Sequence, residues 1–86
     1  MDAENLELFF SEAVDTYDDG DYATAFALFE LVARQGYAGA QYGLGNCYFY
    51  GKGVAKNCEE AVKWYKKAAE QGHEEAIGIL KQLGIN

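Results

Sequence analysis

The chain has 86 residues, of which half are apolar and 15% aromatic, with no proline and a net charge of −7. This size and composition indicate one small packed domain and exclude a disordered chain, which would be more polar. Residues 1–50 contain nine acids and only one arginine. A segment with this negative charge repels nucleic acid and anionic lipid and attracts basic partners.

Residues 3–19 predict a first helix. Its apolar side chains recur at spacings of three and four, which is the pattern of one buried stripe: Leu6, Phe9, Phe10, Ala13, Val14 and Tyr17. Gly20 ends this helix, and the Asp21 carboxylate caps the next one. Helix two runs to Gln35 and is predicted to bury Tyr22, Ala25, Phe26, Phe29, Val32 and Ala33.

Helix three is predicted from Tyr37 to Tyr50, after the helix-ending Gly36. Its inward side chains are Ala40, Leu44 and Tyr48, while Gly43 and Gly45 permit close backbone approach. Glycine within a helix costs about 1 kcal/mol relative to alanine, so tight packing must compensate.

A seven-residue loop, GKGVAKN, leads into helix four. Asn57 followed three residues later by Glu60 predicts a capping box, in which each residue bonds to the other's backbone. Helix four is predicted to bury Ala61, Val62, Tyr65, Ala68 and Ala69. Gly72 ends it, and the segment HEEAIGILKQLG predicts a last helix with acids in its first turn, where the helix dipole favours them.

The chain repeats itself at an offset of 36 residues. The first copy contains Ala25, Phe29, Ala33, Gln35, Gly36, Ala40 and Leu44, and the second contains Ala61, Tyr65, Ala69, Gln71, Gly72, Ala76 and Leu80. A period of this size is typical of stacked helix pairs, each of which completes its core against a neighbour. The fold class predicted is all-α, a short solenoid.

Residues 40–72 resemble the Sel-one-like repeat, a relative of the tetratricopeptide repeat. The residues that carry this resemblance are Ala40, Leu44, Gly45, Tyr48, Gly51, Gly53, Val54, Asn57, Ala61, Trp64, Tyr65, Ala68, Ala69, Gln71 and Gly72. The family usually has Asp at the position of Asn57, and the turn of the first pair is five residues shorter than that of the second.

The resemblance implies one domain over residues 1–86, built as a right-handed superhelix of antiparallel helix pairs. Residues 1–36 form the first pair, residues 37–72 the second, and residues 73–86 a capping helix. It also implies an adaptor with no catalytic residues, no cofactor and no metal. Proteins of this family usually carry more repeats, so a fragment, a miniature module and a homo-oligomer all remain open.

In such stacks the first helix of each pair lines the concave face. On that basis the partner-binding residues are Leu8, Ser11, Asp15, Asp18, Asp19, Tyr42, Asn46, Phe49 and Tyr50. An acidic strip beside an aromatic strip suits lysine or arginine side chains, whose stems lie on rings while their charges meet carboxylates. The alternative is that several of these aromatic residues belong to the core.

Other motifs in the chain fall short of a site. A calcium loop starting at Asp15 lacks its bidentate Glu, and a phosphate loop starting at Gly45 has one residue too many. Cys47, Cys58 and His73 lack zinc spacing. The two cysteines are expected as free thiols, although a disulfide between them is geometrically conceivable.

Three functions are consistent with these patterns. The first is a non-enzymatic interaction module that binds a basic peptide or protein surface. The second is an immunity or inhibitor protein that neutralises a basic toxin or nuclease. The third is a structural module that self-associates weakly through end faces containing Ile77, Ile79 and Ile85.

The amino terminus and the hydropathy pattern bear on where the protein works. The first ten residues carry three acids and no basic cluster, and no window approaches the roughly 18 apolar residues of a membrane span. We therefore expect a cytoplasmic protein that does not bind membranes.

Overall fold

The computed structural model describes residues 2–85, which form five helices. These are α1 Ala3–Asp18, α2 Tyr22–Ala33, α3 Ala38–Tyr50, α4 Cys58–Glu70 and α5 Glu74–Gln82. Each helix packs against the next one. Because short connections join these packed neighbours, successive helices are antiparallel, and α1 and α3 run in the same direction. The predicted all-α solenoid is confirmed, and the helices differ from those predicted by a residue or two at their ends.

Side chains cap four of the five helix starts. Asp21 Oδ1 accepts from the Thr24 amide at 3.3 Å, as predicted, and Asp2 caps α1 in the same way. His73 Nδ1 accepts from the Ala76 amide at 3.2 Å and so caps α5. These bonds satisfy amide groups that the first helical turn leaves without partners.

The capping box predicted at α4 is half wrong. Asn57 Oδ1 does accept from the Glu60 amide at 3.1 Å. The Glu60 side chain, however, pairs with Lys63 at 2.9 Å, and the Asn57 amide donates to the Tyr48 carbonyl at 2.8 Å. The Tyr48 carbonyl of α3 thus accepts the bond that the Glu60 side chain would accept in a capping box. This bond holds the loop against α3.

The core consists mainly of alanines and a few larger side chains. Two buried clusters make it up, one around Leu44 between α1, α2 and α3, and one around Tyr65 between α3, α4 and α5. The predicted close approach at α3 is confirmed: a Cβ on Gly45 would lie 2.7 Å from the Tyr65 ring, and one on Gly43 would overlap the Phe29 ring.

The apolar surface differs in places from the sequence prediction. Val14, predicted to be buried, is 36% exposed, because α2 covers only one side of the α1 stripe. Ile79 and Ile85, proposed for self-association, are half-buried against the Tyr65 cluster. The end of the stack therefore offers less free apolar surface than the sequence suggests.

A side-chain bridge joins the two repeats at the turns that end α2 and α4. Gln71 Nε2 donates to the Gly36 carbonyl at 2.8 Å and to Gln41 Oε1 at 3.0 Å. Buried Gln41 in turn donates to the Ala33 carbonyl at 3.3 Å. This chain of bonds ties the turn after α4 to α3 and to the end of α2, and so links the two helix pairs.

Candidate binding groove

A groove of about 270 Å³ lies between α1, α3 and the start of α5. It follows α1 and α3 along their shared direction and is open to solvent. The residues that line it are Phe10, Val14, Tyr17, Asp18, Phe29, Gly39, Tyr42, Gly43, Asn46, His73 and Glu75. Four elements, α1, α2, α3 and the start of α5, therefore contribute to one surface.

Aromatic rings form the walls at one end of the groove. Phe10 packs on Tyr37 with ring centroids 4.9 Å apart, and Gly39 admits it, since a Cβ there would lie 2.9 Å from Phe10 Cζ. Tyr42 stacks on His73 at 4.8 Å, with the two rings 30° from parallel. The cap at α5 thus positions an imidazole ring as part of the wall.

The other end of the groove lies beside Tyr17. Burial raises the pKa of Tyr17, and the nearby Cys47 raises it further. Cys47 is one turn before the end of α3, whereas Gly39, next to Phe10, is at its start. The groove therefore extends over most of the length that α1 and α3 share.

A hydrogen bond fixes the side chain of Asn46. The Tyr65 hydroxyl donates to Asn46 Oδ1 at 2.6 Å. Tyr65 is fully buried, and this burial raises the pKa of its hydroxyl. Asn46 is therefore a rigid part of the wall.

The charge of the groove is negative. Asp18 ends α1 and Glu75 lies in the first turn of α5, and both line the groove. Its lining, as far as residues 2–85 describe it, contains no lysine or arginine. Arg34 and Lys67 instead line a separate cleft with Trp64, formed from α2, α3, α4 and the turn after α2. The two clefts thus carry opposite charge.

Of the nine residues predicted for partner binding, the structure brings Asp18, Tyr42 and Asn46 together in the groove. The other six lie outside its lining. They are Leu8, Ser11, Asp15 and Asp19, which are exposed, and Phe49 and Tyr50, whose rings contact each other at 5.0 Å at the end of α3. Phe49 also packs against the Tyr65 cluster, as the alternative interpretation expected.

Sequence reasoning missed several groove residues. The sequence predicts Phe10, Val14 and Tyr17 for the core, and His73 and Glu75 for the capping helix. The repeat could have identified His73 and Glu75, because the offset of 36 residues places them level with Tyr37 and Gly39 at the start of α3. For the α1 residues the signal is the width of the apolar stripe, which exceeds what a single neighbouring helix covers.

Groups that could support chemistry are dispersed. Among residues 2–85 there is no cluster of three or more His, Cys, Asp or Glu side chains that could hold a metal ion. Cys47 is buried, which raises the pKa of its thiol to about 11, and Cys58 is exposed; both are free thiols. A buried thiol with so high a pKa is a poor nucleophile.

Comparison with known proteins supports the interpretation of the helix pairs. The sequence profile of the Sel1 repeat matches residues 17–37 and 38–73, which together are more than half of the chain. The chain belongs to the Sel1 repeat family. The resemblance seen in residues 40–72 is thereby confirmed, and Sel1 repeats mediate protein–protein interaction.

Three curated relatives show where similar Sel1 repeats occur. The exopolysaccharide production negative regulator of Rhizobium meliloti is 37% identical over 65 residues, which are 76% of this chain and 24% of that protein. The DAP3-binding cell death enhancer 1 of Rattus norvegicus is 44% identical over 63 residues, which are 73% of this chain and 12% of that protein. The chitin synthase regulator SKT5 of Saccharomyces cerevisiae is 41% identical over 61 residues, which are 71% of this chain and 9% of that protein. The chain spans about a quarter or less of these relatives.

A helix that spans a bilayer needs roughly 20 predominantly apolar residues. Over residues 2–85, no helix combines that length with that apolar character.

Proposed function

We propose that this Sel1 repeat domain is a non-enzymatic interaction module that binds a basic peptide or protein segment in the groove between α1 and α3. The observation that carries the proposal is the composition of the groove, in which aromatic walls meet the carboxylates of Asp18 and Glu75 without a lysine or arginine. Cationic side chains bind favourably to both features, since their stems pack on the aromatic rings and their charges pair with the carboxylates.

The partner is a protein in this proposal, and neither nucleic acid nor a membrane. Asp15 and Asp19 lie close to Asp18 in sequence and are exposed, so they extend the negative surface beyond the groove. The remaining acids of residues 1–50 contribute to the same field. A surface of this sign speeds the approach of basic partners and slows that of polyanions.

The names of the relatives favour a regulatory binding role. Two are called regulators and one is called a binding protein. We propose that this chain likewise acts by binding another protein, in the cytoplasm, where its two thiols stay reduced. Its partner is defined here by chemistry, as a basic segment.

A pair of matched variants tests the proposal. Val14→Arg places a positive charge in the groove at a side chain that is 36% exposed, and Leu31→Arg places one on α2, outside the groove lining, at a side chain that is 40% exposed. Both change the net charge equally. The probe is a fluorescein-labelled peptide in which arginine and lysine alternate with serine, and its binding is measured by fluorescence anisotropy.

We expect Val14→Arg to weaken binding by about tenfold or more, because the new arginine repels the basic side chains of the peptide in the groove. Leu31→Arg should have a much smaller effect, which reflects net charge alone. Equal loss in both variants would contradict binding in the groove, as would tighter binding of a matched glutamate peptide. Circular dichroism spectra confirm that both variants are folded.

A further inference from the structure

The two carboxylates of the groove lie toward opposite ends of it. Asp18 follows Tyr17, which lies near Cys47 in the last turns of α3. Glu75 lies toward the other end, because the offset of 36 residues places it level with Gly39 at the start of α3, and the ring of nearby His73 stacks on Tyr42. The groove therefore has one negative charge toward each end.

The surface between these charges is apolar or without side chains. Val14 lies midway between Phe10 and Asp18 on α1, and Gly43 of α3 lines the same groove against the Phe29 ring. A Cβ on Gly43 would collide with that ring. The middle of the groove thus suits an apolar side chain.

The length of the groove sets the spacing of its ligand. From Phe10 to Asp18 the rise along α1 is about 12 Å, at 1.5 Å per residue. An extended peptide rises about 3.3 Å per residue, and its alternate side chains point to the same face. Residues i and i+4 of such a peptide are about 13 Å apart on that face, with residue i+2 between them.

We propose that the groove recognises an extended segment with a basic residue at each end, four positions apart, and an apolar residue midway between them. The basic residues pair with Asp18 and Glu75, and the apolar residue packs over Val14 and Gly43. This inference rests on the proposed function, and it adds a spacing requirement that a merely acidic surface would lack.

Two capped peptides of equal composition test the spacing. The spaced peptide has the sequence RALAR, and the control RRALA has adjacent charges. Their dissociation constants are measured by NMR titration at physiological ionic strength, with the Gly39 and Gly43 amides as reporters. The protein variants are Asp18→Asn and Glu75→Gln, with Glu12→Gln as the matched control, since Glu12 is an exposed acid of α1 outside the groove.

The spaced peptide should bind at least about threefold more tightly than the control, a factor typical of one exposed ion pair. Asp18→Asn and Glu75→Gln should each weaken its binding by about threefold, and Glu12→Gln by clearly less. Equal affinities for the two peptides would overturn the spacing and leave the proposed function standing. Equal effects of all three substitutions would overturn both, because Glu12 lies outside the groove.

The peptide in which arginine and lysine alternate with serine is longer than these two, and its binding separates the remaining outcomes. If it binds and neither short peptide shifts the reporter amides at millimolar concentration, the spacing inference is wrong and the proposed function stands. If the longer peptide also fails to bind, both are overturned.

Discussion

At the scale of single residues, the glycines of α3 allow its neighbours to approach closely. A Cβ on Gly45 would lie 2.7 Å from the Tyr65 ring and 3.3 Å from the Ala61 carbonyl, a backbone atom that moves only if α4 moves. Glycine lowers the helix propensity of α3, and burial of Tyr65 offsets this loss. Gly78 in α5 has no neighbouring atom within 4 Å of its Cβ position.

Opposite effects on stability are therefore expected from the same substitution at these two sites. Gly45→Ala should lower the free energy of unfolding by about 1–3 kcal/mol through overpacking. Gly78→Ala should raise it by about 0.5–1 kcal/mol, because alanine favours the helix and nothing obstructs it. Urea denaturation measures both. A change of the same sign in the two variants would contradict the packing described at α3.

The two cysteines differ in exposure, and their reactivity should follow. Cys47 is fully buried, and its pKa is raised to about 11, so little thiolate forms near neutral pH. A thiol reagent such as DTNB should label Cys58 rapidly in the folded protein and Cys47 only after denaturation. Rapid labelling of both thiols would contradict the burial of Cys47. Labelling of neither, with a mass two hydrogens lower, would indicate a disulfide.

At the scale of secondary structure, the start of α4 depends on Asn57. Its Oδ1 caps the Glu60 amide, while its own amide bonds to the Tyr48 carbonyl and needs no side chain. Asn57→Ala should lower the free energy of unfolding by about 1 kcal/mol, and Asn57→Asp should retain nearly full stability, because a carboxylate also caps. Thermal denaturation of the three proteins measures this. Unchanged stability of Asn57→Ala would show that the cap contributes nothing.

The first helix shows how far a periodic pattern reaches. The spacing of its apolar residues predicts α1 and its buried stripe, and Ala13 is indeed buried. The pattern does not say which neighbour covers which side of that stripe. Because α2 covers one side of the stripe and α3 makes few contacts with the other side, Phe10, Val14 and Tyr17 line a groove. Their role depends on the placement of three helices, which a local pattern does not contain.

At the scale of the whole molecule, the repeat carries most of the fold. The offset of 36 residues predicts the stacked pairs, and the glycines at the turns predict where helices end. The sequence predicts only part of the groove: Asp18, Tyr42 and Asn46 line it, and the other six residues predicted for partner binding do not. His73 and Glu75 reach it because α5 continues the stack beside α3, and this depends on the Gln71 bridge and the packing around Tyr65.

The central claim, that the groove between α1 and α3 binds a basic segment, is tested most directly by an NMR map of the binding surface. The ¹⁵N-labelled protein is titrated with the alternating basic peptide. We expect the largest amide shifts in the groove, at Asp18, Gly39, Gly43 and Asn46, with little change at Lys63 and Lys66 on the exposed face of α4. Shifts concentrated on α4, or spread evenly over the acidic residues of the chain, would contradict it.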